Sequence, residues 1–241
     1  YMIPKKIHYC WLSKNAMPDK FLHCTESWRK YLPDYEFIEW NLERFPLQKS
    51  IWVRQAFEQK KYAFATDYIR LYALVTEGGI YLDCDVELVK PFDDLLYLPY
   101  FVCKENSPQG IEAAIMGAEK GTPWIMKCLS YYDNRNFIGD NGTEQTAVLP
   151  SILTKVIDRF YTLQFIHEVS EFVNSQEYVC VLPPDYFSPK NYITKKISIT
   201  QNTYCIHHFA GTWQSIWKKM LLWLWLPLSA KYPFLKSLLK K

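Results

Sequence analysis

Two aspartates separated by one residue, Asp83 and Asp85, are the residues whose types and spacing point most directly to chemistry. On an extended segment, residues i and i+2 point the same way, so both carboxylates would face one site. Two close carboxylates resist ionising together unless a cation lies between them. A hard dication such as Mg²⁺ or Mn²⁺ takes oxygen ligands of this kind. The triplet alone occurs by chance in many chains, and by itself it favours a solvated acidic turn.

The residues before this triplet favour a functional site instead. Asp67 and Arg70 are three residues apart in a segment with apolar residues at helical spacing, so they share one helix face. Gly78 and Gly79 then end the helix. The short strand predicted at 80–82 delivers both aspartates of the triplet at its carboxyl end, where open α/β sheets bind ligands.

The elements that position these residues alternate between strands and helices. Strands are predicted at 7–12, 35–40, 80–82, 97–103, 113–117, 178–182 and 203–209, and helices at 19–31, 53–76, 123–132 and 143–159. The strand, helix, strand order at the start predicts an α/β fold with a mostly parallel central sheet. The length of 241 residues fits one domain at 2–212, followed by a C-terminal amphipathic helical tail at 213–241.

Three segments of the sequence resemble one enzyme family. ATDYIRLYALVTEGGIYLDCD at 65–85 resembles the sugar-binding region of glycosyltransferases that contain a DXD motif. That family includes the yeast initiating mannosyltransferase, bacterial capsule and polysaccharide transferases and, more distantly, the clostridial glucosylating toxins. IPKKIHYCWL at 3–12 is similar to the family's opening strand, and IHHFAGTW at 206–213 is similar to its C-terminal segment.

The resemblance implies a GT-A-like nucleotide-sugar-binding fold, a bound Mn²⁺ or Mg²⁺ ion and sugar transfer with retention of the anomeric configuration. It implies that Asp85 ligates the metal directly, and that Asp83 contacts the ribose of the donor or the metal shell. Arg70 and Asp67 would hold sugar hydroxyls or phosphate. The expected donor is a nucleotide-sugar, with a UDP-sugar as the first choice and GDP-mannose as the second.

Two tryptophans and one histidine complete the donor site that the resemblance implies. Trp11 would contact the nucleotide base, and Trp213 would stack on a sugar or base. The side chains of His207 and His208 alternate across a strand, so only one of them can reach the metal or the diphosphate. We expect His208 to be that ligand, because it is nearer the turn at Gly211.

The acceptor is expected to be a saccharide or a lipid-linked glycan, in surface polysaccharide or glycan synthesis. Glu105 and Glu112 flank a predicted loop, ENSPQGIEAA, and could face this acceptor, although a structural role is the simpler interpretation of each. A net charge of +3 is too small to indicate a nucleic-acid-binding protein. Seven widely spaced cysteines without a CxxC pair favour reduced, buried thiols in a cytoplasmic protein.

The tail at 213–241 differs in character from the rest of the chain. It contains four tryptophans, six lysines and no acidic residue, and its longest apolar run is nine residues, at 220–228. A spanning helix needs about 20 apolar residues, so this run cannot cross a bilayer. A basic, Trp-rich segment fits the plane of a membrane interface. With no signal peptide expected, we predict a peripheral location on the inner face of the membrane; the alternative is a helix packed on the domain.

Two other classes of protein remain open at this point. A phosphohydrolase of the haloacid dehalogenase type also carries D-x-D at a strand end, but Thr or Val usually sits four residues after its first Asp, where this chain has Glu87. A non-enzymatic carbohydrate-binding, membrane-associated protein would use the aromatic residues and need no metal. Neither class explains Asp67 and Arg70 together with the spaced acids.

Truncation after Trp213 is expected to reduce binding to anionic vesicles, because it removes the basic, Trp-rich segment. Co-sedimentation of the full chain and the truncated chain with vesicles checks this expectation. Equal binding by both proteins would remove the interfacial role of the tail.

Overall fold

The protein is described by a computed structural model over residues 3–13, 15–108 and 110–211. Trp213 and the predicted tail at 213–241 lie outside the described residues, so the boundary at 212 stays a prediction. In the described part of the chain, no helix has both the length and the apolar character that crossing a membrane requires.

Helices and strands alternate along the described chain. The strands are β1 (Lys6–Cys10), β2 (Glu36–Trp40), β3 (Gly79–Leu82), β4 (Val86–Leu88), β5 (Tyr100–Phe101), β6 (Ile115–Ala118), β7 (Thr162–Phe165), β8 (Tyr178–Val181) and β9 (Cys205–His207). The helices are α1 (Asp19–Tyr31), α2 (Ile51–Glu58), α3 (Tyr62–Glu77), α4 (Pro123–Ser130) and α5 (Leu149–Phe160). Every element predicted within the described residues has a counterpart here, and β4 and β7 are strands that the sequence did not predict.

The central sheet is mixed rather than mostly parallel. Its five strands lie in the order β2-β1-β3-β6-β5. Strand β1 runs parallel to β2 and β3, whereas β6 runs antiparallel to both β3 and β5. The prediction of a mostly parallel sheet is therefore wrong for this half. The described chain between β3 and β6 contains no α-helix that could serve as the crossover that parallel neighbours need.

Side chains alternate across the central sheet between two apolar layers. Ile80 and Leu82 of β3 pack on the side that contains Trp28 of α1. Tyr81 packs on the other side, with residues of α2, α3, α4 and α5. All four residues of β3 are buried, so the residues that follow this strand begin from a rigid support.

The single helix predicted at 53–76 is two helices joined by a tight turn. Helix α2 ends at Glu58 and α3 begins at Tyr62, and Lys60 between them has a φ of 57°. Trp52 Nε1 donates a hydrogen bond to the carbonyl oxygen of Phe64 at 2.8 Å, which ties the two helices together. The prediction is wrong at this turn, but Asp67 and Arg70 both lie within α3 and keep their shared face.

Two glycines turn the end of α3 into the start of β3. Gly78 and Gly79 have φ values of 68° and 112°, in the region that only glycine adopts without strain. The turn is also crowded, because a Cβ at Gly78 would lie 2.6 Å from the backbone nitrogen of Lys120. This turn fixes the position of β3 relative to α3.

Gly78→Ala is expected to lower the free energy of unfolding by about 2 kcal/mol or more, because it combines left-handed strain with a clash against backbone. Gly121→Ala is the matched control. Gly121 also has a positive φ, 76°, but no atom lies within 4 Å of its added Cβ, so we expect a loss of about 1 kcal/mol. Urea unfolding of the three proteins measures both values, and equal losses would contradict the crowding at Gly78.

Candidate active site

The two spaced aspartates lie just beyond the end of β3. The backbone N–H of Asp83 donates to the carbonyl oxygen of Ala114 at 2.8 Å, and that of Val86 donates to the carbonyl of Asp83 at 3.0 Å. A tight turn therefore follows Asp83. The ligand atoms of Asp83, Asp85 and His207 all lie within 4.8 Å of one another. The chain thus brings two carboxylates and one imidazole to a single point.

Arg70 joins α3 to this point. Its guanidinium lies 3.2 Å from Asp67 Oδ1 and 3.2 Å from each carboxylate oxygen of Asp83. It also donates to the carbonyl oxygen of Ala113 at 2.7 Å. Tyr81 adds a hydrogen bond from its hydroxyl to Asp83 Oδ1 at 2.9 Å. The helix face predicted for Asp67 and Arg70 does face Asp83, and both oxygens of Asp83 are already engaged.

Burial disfavours the ionised forms of the carboxyl groups of Asp67 and Asp83. It raises the pKa of Asp67 to about 7; Arg70 opposes the increase and Asp83 adds to it. Burial also raises the pKa of Asp83, again against the effect of Arg70 and with a contribution from Asp85. A single guanidinium therefore does not fully compensate these carboxylates, and a further cation beside Asp83 and Asp85 would favour their ionised forms.

His207, rather than His208, is the histidine at the aspartates. Its Nε2 lies 3.7 Å from Asp85 Oδ2, and its Nδ1 lies 3.0 Å from Glu112 Oε2. His208 instead contacts Glu87, with Nε2 at 2.8 Å from Oε2. The two side chains alternate as expected, but the structure places His207, and not the expected His208, beside the aspartates.

The register of a two-stranded ladder explains the correction. Strands β4 and β9 are antiparallel, and His207 pairs with Val86. Cross-strand partners share a face, and Val86 is fully buried, so His207 turns inward. The turn after β9 contributes as well, because the backbone N–H of Ala210 donates to Asp85 Oδ2 at 2.7 Å.

Glu112 is a site residue whose role the sequence did not reveal. It is fully buried, so the expectation that it faces an acceptor is not met. One carboxylate oxygen accepts from the backbone N–H of Ala114 at 2.9 Å, and the other faces His207. Burial acts to raise the pKa of Glu112, but the adjacent His207 outweighs it and the pKa is lowered. No local pattern could have shown this pair, because 95 residues separate its members.

Glu105 lies behind this pair, where Glu105, Glu112 and His207 also bring their ligand atoms within 4.8 Å of one another. It is buried and contacts the hydroxyl of Ser107. Burial first, and then the charge of Glu112, raise the pKa of Glu105 to about 7. His207 is the cationic group beside these carboxylates. Burial acts to lower its pKa, but the charges of Glu112 and Asp85 outweigh burial and raise the pKa to about 10.

The residues at this point fit a divalent cation. Carboxylate oxygens suit Mg²⁺ and Mn²⁺, and an imidazole nitrogen is a common ligand of transition metals. A metal-binding histidine usually donates its second ring N–H to a carboxylate, and Glu112 occupies that position at Nδ1 of His207. Asp83 is held by Arg70 and Tyr81. Asp85 and His207 are therefore the residues best placed to hold the ion, with Asp83 beside them.

Trp11 lies at the same edge of the sheet, because it follows β1, which runs parallel to β3. Its side chain is half-buried, with Nε1 donating to the carbonyl of Asn15 at 2.9 Å and the ring packed edge-on against Phe21. This position agrees with a place in the nucleotide site, which stays a prediction, as does the role of Trp213.

The His207–Glu112 pair predicts a pH dependence of the metal-free protein. The pKa of His207 rises from about 6.5 in the unfolded chain to about 10 in the folded protein. The pair therefore stabilises the fold fully below about pH 6.5, and this stabilisation is lost as the pH rises through about 10. Glu112→Gln keeps the shape of the side chain and removes its charge. Urea unfolding between pH 6 and 10 should show a steeper loss for the unmodified protein than for this variant, and parallel curves would contradict the pair.

The comparison with known proteins matches the part of the chain that contains these site residues. The family described as "Glycosyltransferase sugar-binding region containing DXD motif" matches residues 18–101, a stretch that contains Asp67, Arg70, Asp83 and Asp85. Inositol phosphoceramide mannosyltransferase 3 of Schizosaccharomyces pombe is 33% identical over 129 residues, which are 52% of this chain and 36% of that protein.

Mannosyl phosphorylinositol ceramide synthase SUR1 of Saccharomyces cerevisiae is 33% identical over 147 residues, which are 57% of this chain and 37% of that protein. The chain thus spans little more than a third of the length of these two relatives. Among solved structures, PaToxG Glycosyltransferase matches with a TM-score of 0.51 and 23% identity, over 66% of this chain and 69% of that chain. The predicted α/β fold is therefore confirmed, with a mixed sheet. Residues 18–101 of this protein thus match the model of the glycosyltransferase sugar-binding region that contains a DXD motif.

Proposed function

We propose that this protein is a metal-dependent glycosyltransferase that moves a hexose from a nucleotide-sugar to a hydroxyl acceptor. The observation that carries the proposal is the convergence of Asp83, Asp85 and His207 beside the buried pair of Asp67 and Arg70. The converging groups suit a cation that binds a diphosphate. The buried pair offers charged hydrogen-bonding groups of both signs, which suit the hydroxyls of a sugar.

In this proposal Asp85 and His207 would hold a Mn²⁺ or Mg²⁺ ion, and the chemistry that such an ion would supply is neutralisation of charge on the leaving diphosphate. Glu112 keeps His207 oriented with Nε2 toward Asp85. Asp83 and the pair on α3 orient the sugar. The bond between the sugar C1 and the phosphate oxygen breaks, and the acceptor oxygen takes its place at C1 with retention of configuration. The acceptor proton leaves with the diphosphate.

The names of the relatives bear on the donor and the acceptor. One is named an inositol phosphoceramide mannosyltransferase and the other a mannosyl phosphorylinositol ceramide synthase. We therefore place a mannosyl donor such as GDP-mannose first and a UDP-sugar second, which reverses the order expected from the sequence. A lipid-linked headgroup becomes the first acceptor and a polysaccharide the second. A lipid acceptor agrees with a peripheral position on the inner membrane face through the tail at 213–241.

The two other classes fit the structure less well. A phosphohydrolase of the haloacid dehalogenase type would use Asp83 as its nucleophile. Here one oxygen of that carboxylate accepts from Arg70 and the other from Tyr81, which weakens it as a nucleophile. A non-catalytic carbohydrate-binding protein has no need of the buried pair of Asp67 and Arg70 beside Asp83 and Asp85, because removing such charges from water is costly.

A donor screen tests the proposal. Thermal shift with Mn²⁺ and either GDP-mannose or UDP-glucose should show stabilisation by one donor, by about 2.7 kcal/mol at a hundredfold excess over the dissociation constant. Asp85→Asn should remove the metal-dependent part and lower donor hydrolysis about 100-fold or more. Asp158→Asn, which changes an exposed carboxylate on α5, is the control. Full turnover by Asp85→Asn, or release of inorganic phosphate from sugar phosphates, would sink the proposal.

A further inference from the structure

The turn that follows β9 holds Asp85 at two of its atoms. This β9 turn comprises residues 208–210. The backbone N–H of His208 donates to the carbonyl oxygen of Asp85 at 3.0 Å, and the backbone N–H of Ala210 donates to Asp85 Oδ2 at 2.7 Å. The first bond fixes the backbone of Asp85, and the second fixes the rotation of its carboxylate. The orientation of this carboxylate therefore depends on the β9 turn.

The conformation of the β9 turn has to be held by contacts from outside it. Phe209, at its centre, has a φ of 53°, in the left-handed region that side chains other than glycine adopt only under strain. Such a conformation persists where the surrounding structure enforces it. The ring of Phe209 packs against the rings of His207 and Tyr192, with centroids 4.0 and 5.3 Å away. Further contacts are made by His208.

His208 ties the start of the β9 turn to two other segments. Its carbonyl oxygen accepts from Lys190 Nζ at 3.0 Å. Its ring Nε2 lies 2.8 Å from Glu87 Oε2, and Nε2 is the donor because an ionised carboxylate only accepts hydrogen bonds. Both side chains of this pair are partly buried, at 31% and 28% exposure. Glu87 lies two residues after Asp85, so this contact joins the β9 turn to the strand that begins just after Asp85.

The ladder between β4 and β9 explains why His208 meets Glu87. Val86 pairs with His207, and Glu87 pairs with Ile206. Because side chains alternate along a strand and cross-strand partners share a face, Glu87 and His208 lie on the face opposite His207. The same register thus turns one histidine toward the aspartates and gives the next one a carboxylate partner.

We propose that Glu87 and His208 are positioning residues for Asp85: their contact keeps the β9 turn in place and so sets the affinity of the site for a divalent ion. The inference rests on the proposed function, because it takes Asp85 to bind that ion. Substitution of groups that orient metal ligands typically changes metal affinity about 10- to 100-fold. At saturating metal, Asp85 is held by the ion as well, so the effect falls on metal affinity more than on turnover.

Four variants separate the contact from the charge. Glu87→Ala and His208→Ala each remove the contact, from opposite sides. Glu87→Gln removes the negative charge, but its amide oxygen can still accept from Nε2 of His208. This variant is needed because loss of a negative charge near the site could by itself weaken the binding of a cation. His23→Ala is the matched control, since His23 Nε2 lies 3.7 Å from the other oxygen of Glu87, beyond hydrogen-bond distance.

Isothermal titration with Mn²⁺, alone and in the presence of GDP or UDP, measures the metal affinity of the unmodified protein and the four variants. Glu87→Ala and His208→Ala should each bind Mn²⁺ about 10-fold or more weakly. Glu87→Gln and His23→Ala should stay within about threefold of the unmodified protein. For the two alanine variants, the Mn²⁺ concentration that gives half-maximal donor hydrolysis should rise with the dissociation constant, while kcat at saturating Mn²⁺ stays close to its original value.

Hydrogen exchange of the metal-free protein provides a second readout, which does not depend on activity. The amide of Ala210 should exchange about fivefold or more faster in Glu87→Ala and His208→Ala, because its bond to Asp85 opens more often. The amides of β3 should exchange as in the unmodified protein, which would show that the fold itself is intact.

The outcomes distinguish this inference from the proposed function. If the unmodified protein binds Mn²⁺ and both alanine variants bind it equally well, the inference is overturned and the proposed function stands. If Glu87→Gln binds Mn²⁺ as weakly as Glu87→Ala, the charge of Glu87 acts rather than its contact with His208, and the inference is again overturned. If the unmodified protein binds no divalent ion, with or without a nucleoside diphosphate, both fall.

Discussion

The guanidinium of Arg70 is the group on which the candidate site depends. It contacts Asp67 on its own helix, Asp83 after β3 and the carbonyl of Ala113 before β6. Without it, the buried Asp67 would lose its cationic partner, and such a state costs several kcal/mol per ion. The half-buried Asp83 would be left with His207 as the nearby cation. The side chain of Arg70 therefore links α3, the end of β3 and the start of β6, and it contributes the positive charge at the place where they meet.

The antiparallel direction of β6 also serves the site. Because β6 runs opposite to β3, its first residue pairs with Leu82, the last residue of β3. The segment just before β6 therefore lies beside the aspartates, and this segment supplies Glu112 as well as the carbonyls of Ala113 and Ala114. A parallel β6 would have placed the same segment at the far end of the sheet. The mixed sheet is thus the arrangement that gives His207 its carboxylate partner.

The sequence predicts contacts between residues that are close along the chain, and it does not predict contacts between distant segments. Asp67, Arg70 and Asp83 were identified because helical spacing and one glycine turn connect them. The break at Lys60 was missed because the apolar periodicity continues across it and the turn depends on a left-handed residue. The choice between His207 and His208 failed for a different reason. Alternation limits the answer to one of the two, but the register against Val86 selects which one, and that register is a contact between distant segments.

The hydrogen bond from the backbone of Ala210 to Asp85 has a mechanical consequence. Residue 210 is three positions before the start of the predicted tail at 213, so the carboxylate best placed to hold a metal is hydrogen-bonded to the last described residues of the chain. Any displacement of the segment after β9 is passed on to Asp85 through this bond. By linkage, whatever occupies the site also changes how easily that segment can move. We therefore expect the position of the described segment after β9 and the occupancy of the aspartate site to be coupled.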